Sequence, residues 1–221
     1  KKDYYKFSEK EKIEFLKSLI GKKKNIIKNF NFKNEENKEV WSTFKTLSYE
    51  PAECLGAYVI SMTTSASDIL SVSFLQKEAN IKNKLRVVPL FETLDDLINS
   101  KSIMQSLFSQ KWYRKLIQNK QEVMIGYSDS GKDAGKMCAS WHQYKSQEEI
   151  VKLAKKFNIE VIFFHGRGGS AGRGGGPIQA TLRSLPPNSV NGKIRITDQG
   201  EVIQQKYGYE PLAKYNLCSY I

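Results

Sequence analysis

Ile159-Glu160-Val161-Ile162-Phe163-Phe164-His165-Gly166-Arg167-Gly168-Gly169-Ser170-Ala171-Gly172-Arg173-Gly174-Gly175-Gly176-Pro177 decides how this chain is read. The first six residues are an apolar run with strand character. The following residues form a glycine-rich loop at the end of that strand. Seven glycines remove side chains, so backbone N–H groups can approach an anion closely. Arg167 and Arg173 add forked donors suited to carboxylate or phosphate. His165 stands at the strand tip, where an imidazole can move a proton near neutral pH. Together these residues point to a substrate with several negative charges.

Working outward, the same pattern recurs. Tyr58-Val59-Ile60, Leu85 to Leu90 and Val123-Met124-Ile125 are further strand-like runs. Helical patterns fill the gaps at Asp68 to Ala79, Leu94 to Ile117 and Ala134 to Phe157. A strand–helix alternation predicts an α/β fold with a parallel sheet, either part of a (β/α)8 TIM-type barrel with additional helices or a doubly wound sheet. Each run ends in a polar stretch: Ser61 to Asp68, Phe91-Glu92-Thr93, Gly126 to Asp133, and His165 with its loop. Polar residues gathered at strand C-termini are how such folds build an active site. Four strand–helix units do not close a barrel of eight, which predicts a fragment of a longer chain.

Residues 1–50 are rich in lysine and helical in pattern, with Ile13, Leu16, Leu19 and Ile20, then Ile26, Ile27 and Phe30, at helical spacing. Asn31 to Asn37 is a polar break. The expected organisation is a helical, lysine-rich segment over 1–50 leading into a partial barrel over 51–221.

The 221 residues include 35 Lys and Arg against 23 Asp and Glu, a net charge of +12. Such a charge suits a polyanion such as RNA. The excess lies in lysines near the N-terminus, away from the motifs, which reads as a solvated surface. Gly166-Arg167-Gly168-Gly169 and Gly172-Arg173-Gly174-Gly175 also resemble RGG repeats of RNA-binding segments, which are long and repetitive. Cys54, Cys138 and Cys218 are far apart and suggest neither a zinc site nor a disulfide framework. No apolar run approaches the ~20 residues of a membrane span. A reduced, cytoplasmic setting is expected, with no nucleic acid and no membrane as partner.

Glu92 and Asp129 are carboxylates at successive strand tips, an arrangement suited to Mg²⁺ or Mn²⁺ with substrate completing the shell. Each also fits a helix cap or a surface ion pair. Gly126 to Asp133 nearly matches the phosphate-cradling pattern Gly-x-x-x-x-Gly-Lys-Ser/Thr. Asp133 replaces the hydroxyl residue, and Asp129 would set a carboxylate inside the cradle, so a nucleotide triphosphatase is not expected. Lys132 remains an anion-binding candidate. His142 lies on a helical stretch and reads as a packing or surface residue.

Phe164 to Pro177 resembles the glycine-loop signature of phosphoenolpyruvate carboxylases. Val123 to Gly135 is similar to a second signature of that family, and Val87 to Leu94, Tyr58 to Asp68 and Thr197 to Ile203 occur in its order and spacing. The resemblance runs from about Pro51 to Gly208; residues 1–50 match loosely. It implies carboxylation of phosphoenolpyruvate by bicarbonate to oxaloacetate and phosphate, with Mg²⁺ or Mn²⁺. It further implies metal ligation by Glu92 and Asp129, carboxyl transfer at His165, phosphate binding at Arg167, catalysis at Arg173, and Lys132 near bicarbonate. A homotetramer is implied for the full-length enzyme. Ala66 and Ala171 depart from the pattern, and neither carries chemistry. The family's other essential histidine and a further substrate-binding arginine have no match in this chain, so these 221 residues alone are expected to be inactive. A repurposed, non-catalytic relative is the other enzyme-derived alternative.

Overall fold

The computed structural model describes residues 3–27, 32–166, 178–198 and 200–219. The chain divides into two compact units, Lys1–Pro89 and Leu90–Ile221.

In the first unit, a 3-10 turn at Tyr4–Lys6 precedes helices α1 (Glu9–Ile20) and α2 (Glu35–Tyr49), strand β1 (Ala57–Ile60) and helix α3 (Ala66–Glu78). Ser8 starts α1 with a capping box: its side chain accepts from Glu11 N–H while the Glu11 carboxylate accepts from Ser8 N–H at 2.7 Å. Ile13, Leu16 and Leu19, spaced by three residues, are buried on the face that meets α3. Glu9 accepts from Ser67 N–H at 2.7 Å and Ser67 Oγ at 3.0 Å, setting a carboxylate at the positive end of α3. Phe44, Val72, Ala79 and Ile81 form the buried centre, with the Phe44 and Tyr58 rings stacked at 5.0 Å.

The helical spacing expected to run on to Ile26 and Ile27 stops at Gly21. Residues 22–27 pass instead over the end of α3, where the buried Glu78 carboxylate accepts the N–H groups of Ile26 (2.7 Å) and Ile27 (2.8 Å) and pairs with Lys77 at 2.7 Å. A tertiary acceptor outcompetes another helical turn because it satisfies two donors at once. The expected polar break around Asn31 to Asn37 ends early too. Asn34 accepts from Glu36 N–H at 2.7 Å and opens α2.

Strand β2 (Arg86–Phe91) pairs in parallel with β1 from Ala57↔Arg86 to Ile60↔Pro89. Its last residues pair with β3 (Lys120–Gly126) through Leu90↔Met124 and Phe91↔Ile125. β3 pairs with β4 (Glu160–Gly166) over seven residues, and β4 with β5 (Arg195–Ile196). The strand order is β1-β2-β3-β4-β5, all parallel. That topology requires a crossover after each strand. In the second unit these are α4 (Leu94–Phe108) with α5 (Lys111–Leu116), then α6 (Ser128–Ala134) with α7 (Lys136–Phe157), then α8 (Ile178–Arg183). Helices α9 (Gly200–Tyr207) and α10 (Glu210–Cys218) follow β5.

Two single helices expected from periodicity are split. Leu94 to Ile117 breaks at Ser109–Gln110, where Gln110 is extended (φ −83°, ψ 113°). Ala134 to Phe157 is cut at Gly135, whose φ of 76° suits glycine. The core of this unit joins Phe91, Val123, Ile125 and Phe163 on the strands to Leu97, Met104, Leu107 and Ile150 on α4 and α7. Ser100 and Ser146, both buried, bond at 2.7 Å between α4 and α7, where small side chains let the helices approach. Tyr113 is fully buried and donates to Gln121 Oε1 at 2.7 Å; burial pushes its phenol well above the usual tyrosine value.

Burial alone would raise the Glu78 carboxyl. The bonds from Lys77, Ile27 and Ile26, with the Lys77 charge, outweigh it and hold the group below the ordinary carboxylate range. A depressed acid stabilises fully above its unfolded value and loses that contribution as pH falls through the folded value. Protection of the Ile26 and Ile27 amides, corrected for intrinsic exchange, is therefore expected to persist at pH 6 to 7 and to fade only as pH falls through the folded value, below the ordinary carboxylate range. Glu78→Ala should remove it at every pH, which hydrogen exchange followed by mass spectrometry will read.

Candidate active site

The second unit carries the polar strand tips, and local structure fixes each of them. Glu92 follows β2 on a turn closed by a capping box. The Glu92 and Thr93 N–H groups donate to Asp96 Oδ2 at 3.3 and 3.0 Å, and Thr93 Oγ1 accepts from Asp96 N–H at 3.1 Å. The next strand tip has been cleared to receive it. A Cβ placed on Gly126 would meet Glu92 Cβ at 2.7 Å and Glu92 Cα at 2.8 Å, so only glycine allows this approach.

Beyond Gly126 the expected polar stretch turns directly into α6. Ser130 Oγ donates to the Gly126 carbonyl at 2.8 Å, and Gln143 Nε2 from α7 donates to Ser130 Oγ at 2.8 Å. These buried bonds satisfy a strand-end carbonyl that would otherwise be costly. Asp133, at the position of the missing phosphate-loop hydroxyl, accepts from Leu94 N–H at 2.9 Å. It thus holds the first turn of α4 beside Glu92. Asp129 and Lys132 lie on the exposed side of α6 and pair at 3.1 Å, with side chains 52% and 76% accessible. Such an exposed pair adds little to stability, so both groups are available to a ligand.

His165 is the last residue but one of β4 and is completely buried. Its Nδ1 lies 2.9 Å from the Tyr127 hydroxyl, and its carbonyl accepts from Thr197 N–H at 3.0 Å beyond β5. Gly166 follows in register with Gly126; a Cβ there would meet Met124 Cε at 2.9 Å and the Ile125 carbonyl at 3.1 Å.

The parallel register sorts these groups between two faces. Glu122, Met124 and Gly126 share a face with Ile162, Phe164 and Gly166, and with Arg195 of β5. Val123, Ile125, Phe163, His165 and Ile196 point the other way. Glu92, packed on Gly126, stands at the glycine face, whereas His165 is on the helix-covered face with Tyr127. On the glycine face, Arg195 lies over the Phe164 ring at 4.4 Å and pairs with the buried Glu122 at 2.5 Å.

Arg167 and Arg173 lie in 167–177, outside the described residues. His142 is half-buried on α7. A groove of about 760 Å³ opens at the other ends of β3 and β4, lined by residues such as Lys120, Lys155 and Glu160, away from these strand tips. Among the described residues, no three His, Cys, Asp or Glu groups converge. Glu92 and Asp129 still suit a hard divalent cation. Mg²⁺ takes one or two carboxylates and completes its shell with water and substrate oxygen, and the missing side chain at Gly126 keeps the Glu92 approach open. Sequence reading missed Tyr127, Gln143, Glu122 and Arg195. Arg195 had a weak signal in the alternation of Lys193-Ile194-Arg195-Ile196-Thr197; the others had none, because their roles depend on partners 13 to 73 residues away.

The family model described as phosphoenolpyruvate carboxylase matches residues 1–221. The chain belongs to the phosphoenolpyruvate carboxylase family. A C4 phosphoenolpyruvate carboxylase from Flaveria trinervia is 53% identical over 209 residues, which are 95% of this chain and 22% of that protein. Phosphoenolpyruvate carboxylase 3 from Arabidopsis thaliana is 51% identical over 205 residues, 93% of this chain and 21% of its own length. The enzyme from Solanum tuberosum is 48% identical over 209 residues. The chain thus spans about a fifth of the length of these carboxylases. No helix among the described residues is long and apolar enough to cross a membrane.

Gly126→Ala tests the contact between the strand tips. The added Cβ must displace the Glu92 backbone, and the expected cost is roughly 1–3 kcal/mol in urea unfolding of the full-length protein. Gly131→Ala serves as the control, because nothing lies within 4 Å of its Cβ position.

Proposed function

We propose that this chain is the part of a cytoplasmic phosphoenolpyruvate carboxylase that carries the metal acids and the carboxyl-transfer histidine, on a segment of an eight-stranded barrel. The observation that carries this reading is the gathering of Glu92, Asp129, Lys132 and His165 at the carboxy ends of three consecutive parallel strands, β2, β3 and β4, within one compact unit. Such edges are where parallel folds hold their chemistry.

In the proposed reaction, a bicarbonate oxygen attacks the phosphorus of phosphoenolpyruvate and the enol C–O–P link breaks at phosphorus. Carboxyphosphate and the enolate of pyruvate result. Carboxyphosphate then releases CO₂, and the enolate carbon attacks it to give oxaloacetate and phosphate. Every species is anionic, so cationic groups and backbone N–H donors stabilise the path. Glu92 and Asp129 would hold Mg²⁺ or Mn²⁺, which supplies Lewis-acid charge to the phosphate and enolate oxygens. Arg167 binds the phosphate, Arg173 supports catalysis, and Lys132 orients bicarbonate. His165 takes the carboxyl proton of carboxyphosphate as CO₂ leaves. The full-length protein is proposed to work as a homotetramer, without nucleic acid or membrane.

The test is to give the full-length protein phosphoenolpyruvate, bicarbonate and Mg²⁺ and to follow both products. Equal, bicarbonate-dependent amounts of oxaloacetate and phosphate are expected. Neither product would favour a repurposed relative. His165→Asn should keep phosphate release while oxaloacetate falls by on the order of a hundredfold; equal loss of both would remove His165 from the second half-reaction. Asp129→Asn should raise the Mg²⁺ concentration needed for half-maximal rate about tenfold, as loss of a charged ligand requires. An unchanged Mg²⁺ titration takes Asp129 out of the metal shell.

A further inference from the structure

We propose that Asp133 is a positioning residue for the divalent cation, clamping α6 to the first turn of α4 so that Glu92 and Asp129 present their carboxylates to one ion. This rests on the metal-dependent carboxylase reading above. Asp133 stands where the phosphate-loop pattern expects a hydroxyl that meets the metal, yet its side chain has a different partner. Its Oδ2 accepts the N–H of Leu94 at 2.9 Å, across 39 residues of chain. Leu94 is the first residue of α4, directly after the N-cap Thr93. Its N–H is one of the donors that the helix itself leaves unsatisfied, and a carboxylate placed there also meets the positive end of the helix.

The two segments that carry the proposed metal acids therefore meet twice. The Glu92 backbone and Cβ rest on Gly126, at the end of β3. Two residues further on, Leu94 is tied to Asp133, in the last turn of α6. Asp129 lies between those points, three residues after Gly126 and four before Asp133. One contact leaves two segments free to rotate about it, whereas a second contact removes that freedom. Each segment is also stiff in itself. Ser130 Oγ anchors α6 to the Gly126 carbonyl at 2.8 Å, and Gln143 holds Ser130 at 2.8 Å. On the other segment, Asp96 accepts the Glu92 and Thr93 N–H groups. The Asp133 bond joins these two stiff turns. Mg²⁺ demands near-octahedral geometry, so two carboxylates on separate strand tips serve it only when their spacing is held. Outer groups that fix the orientation of metal ligands are worth a measurable share of the affinity. Asp133 meets the backbone, not the ion, and acts through Glu92 and Asp129.

The experiment titrates the full-length protein with Mn²⁺ in the absence of substrates, reading the EPR signal of the free ion, with Tm and amide exchange at Leu94 measured alongside. Asp133→Ala is expected to weaken Mn²⁺ binding about tenfold, the size of losing an outer orienting group, and to speed exchange at Leu94. Asp133→Asn keeps a side-chain oxygen that can accept from Leu94, and loses only the charge at the helix end. It should bind within about threefold of the parent. Leu94→Pro removes the donor at the first helical position, where proline is tolerated. It should match Asp133→Ala, with no further loss in the double variant, whereas Leu94→Ala, which keeps the N–H, should bind near the parent value. Asp129→Asn is the reference for a direct ligand. Weakened binding in Asp129→Asn beside unchanged binding in Asp133→Ala overturns this inference alone. Equal loss in Asp133→Asn and Asp133→Ala means that Asp133 acts on the ion itself, and overturns the positioning role. A lowered Tm in Asp133→Ala with unchanged Mn²⁺ binding overturns it in favour of simple stability. Parent-like binding in both Asp129→Asn and Glu92→Gln removes the metal site, and this inference with it.

Discussion

The site depends on the approach of β2 to β3 at their carboxy ends, where the backbone and Cβ of Glu92 occupy the space a side chain at Gly126 would need. One missing methyl group lets the Glu92 backbone and Cβ pack directly on Gly126. Gly166 repeats the device one strand further, against Met124 and the Ile125 carbonyl. Both glycines have ordinary strand partners. Their value is proximity, not access to unusual backbone angles.

The layer beneath this edge is polar. Gln143 on α7 supports Ser130, Ser130 supports the Gly126 carbonyl, and Asp133 supports the first turn of α4. In a low-dielectric setting such bonds are stronger than in water and costly to leave half-made, so the strand tips are held without the side chains that would bind a ligand. Asp129 and Lys132 stand apart from that network on the exposed side of α6. Of the two acids on α6, one is structural and one is available to a ligand. Asp133, in the last turn of α6, reaches Leu94 N–H, whereas Asp129, in the first turn, pairs with Lys132 at the surface.

Where the periodicity of the sequence misled, the cause is tertiary. Ile26 and Ile27 continue the spacing of α1, yet their N–H groups go to Glu78, 52 and 51 residues away. The Leu94 to Ile117 pattern is continuous in hydrophobicity, but Gln110 adopts an extended conformation and starts a second helix. Ser128 to Ala134 has the composition of a loop and forms a helix because Asp133 and Ser130 have partners in α4 and at the end of β3. β5, two residues long, is too short for any period to show.

What the sequence by itself determined is local and repetitive. Four apolar runs alternating with helical patterns dictate parallel strands, since parallel neighbours require crossovers, and each run carries its polar residues at the end where crossovers begin. Glu92, Asp129, Lys132 and His165 were legible there because chemistry-bearing residue types interrupt a simple pattern. Tertiary structure alone decided which face each one takes and what holds it. Whether His165 lies with Glu92 or opposite it depends on a register of one residue between β3 and β4. That Tyr127 holds the imidazole, and that Glu122 answers Arg195, depends on strands brought within hydrogen-bonding distance from 38 and 73 residues apart. Side-chain periodicity is a property of one segment, whereas pairing is a property of two, and only the folded sheet specifies the second.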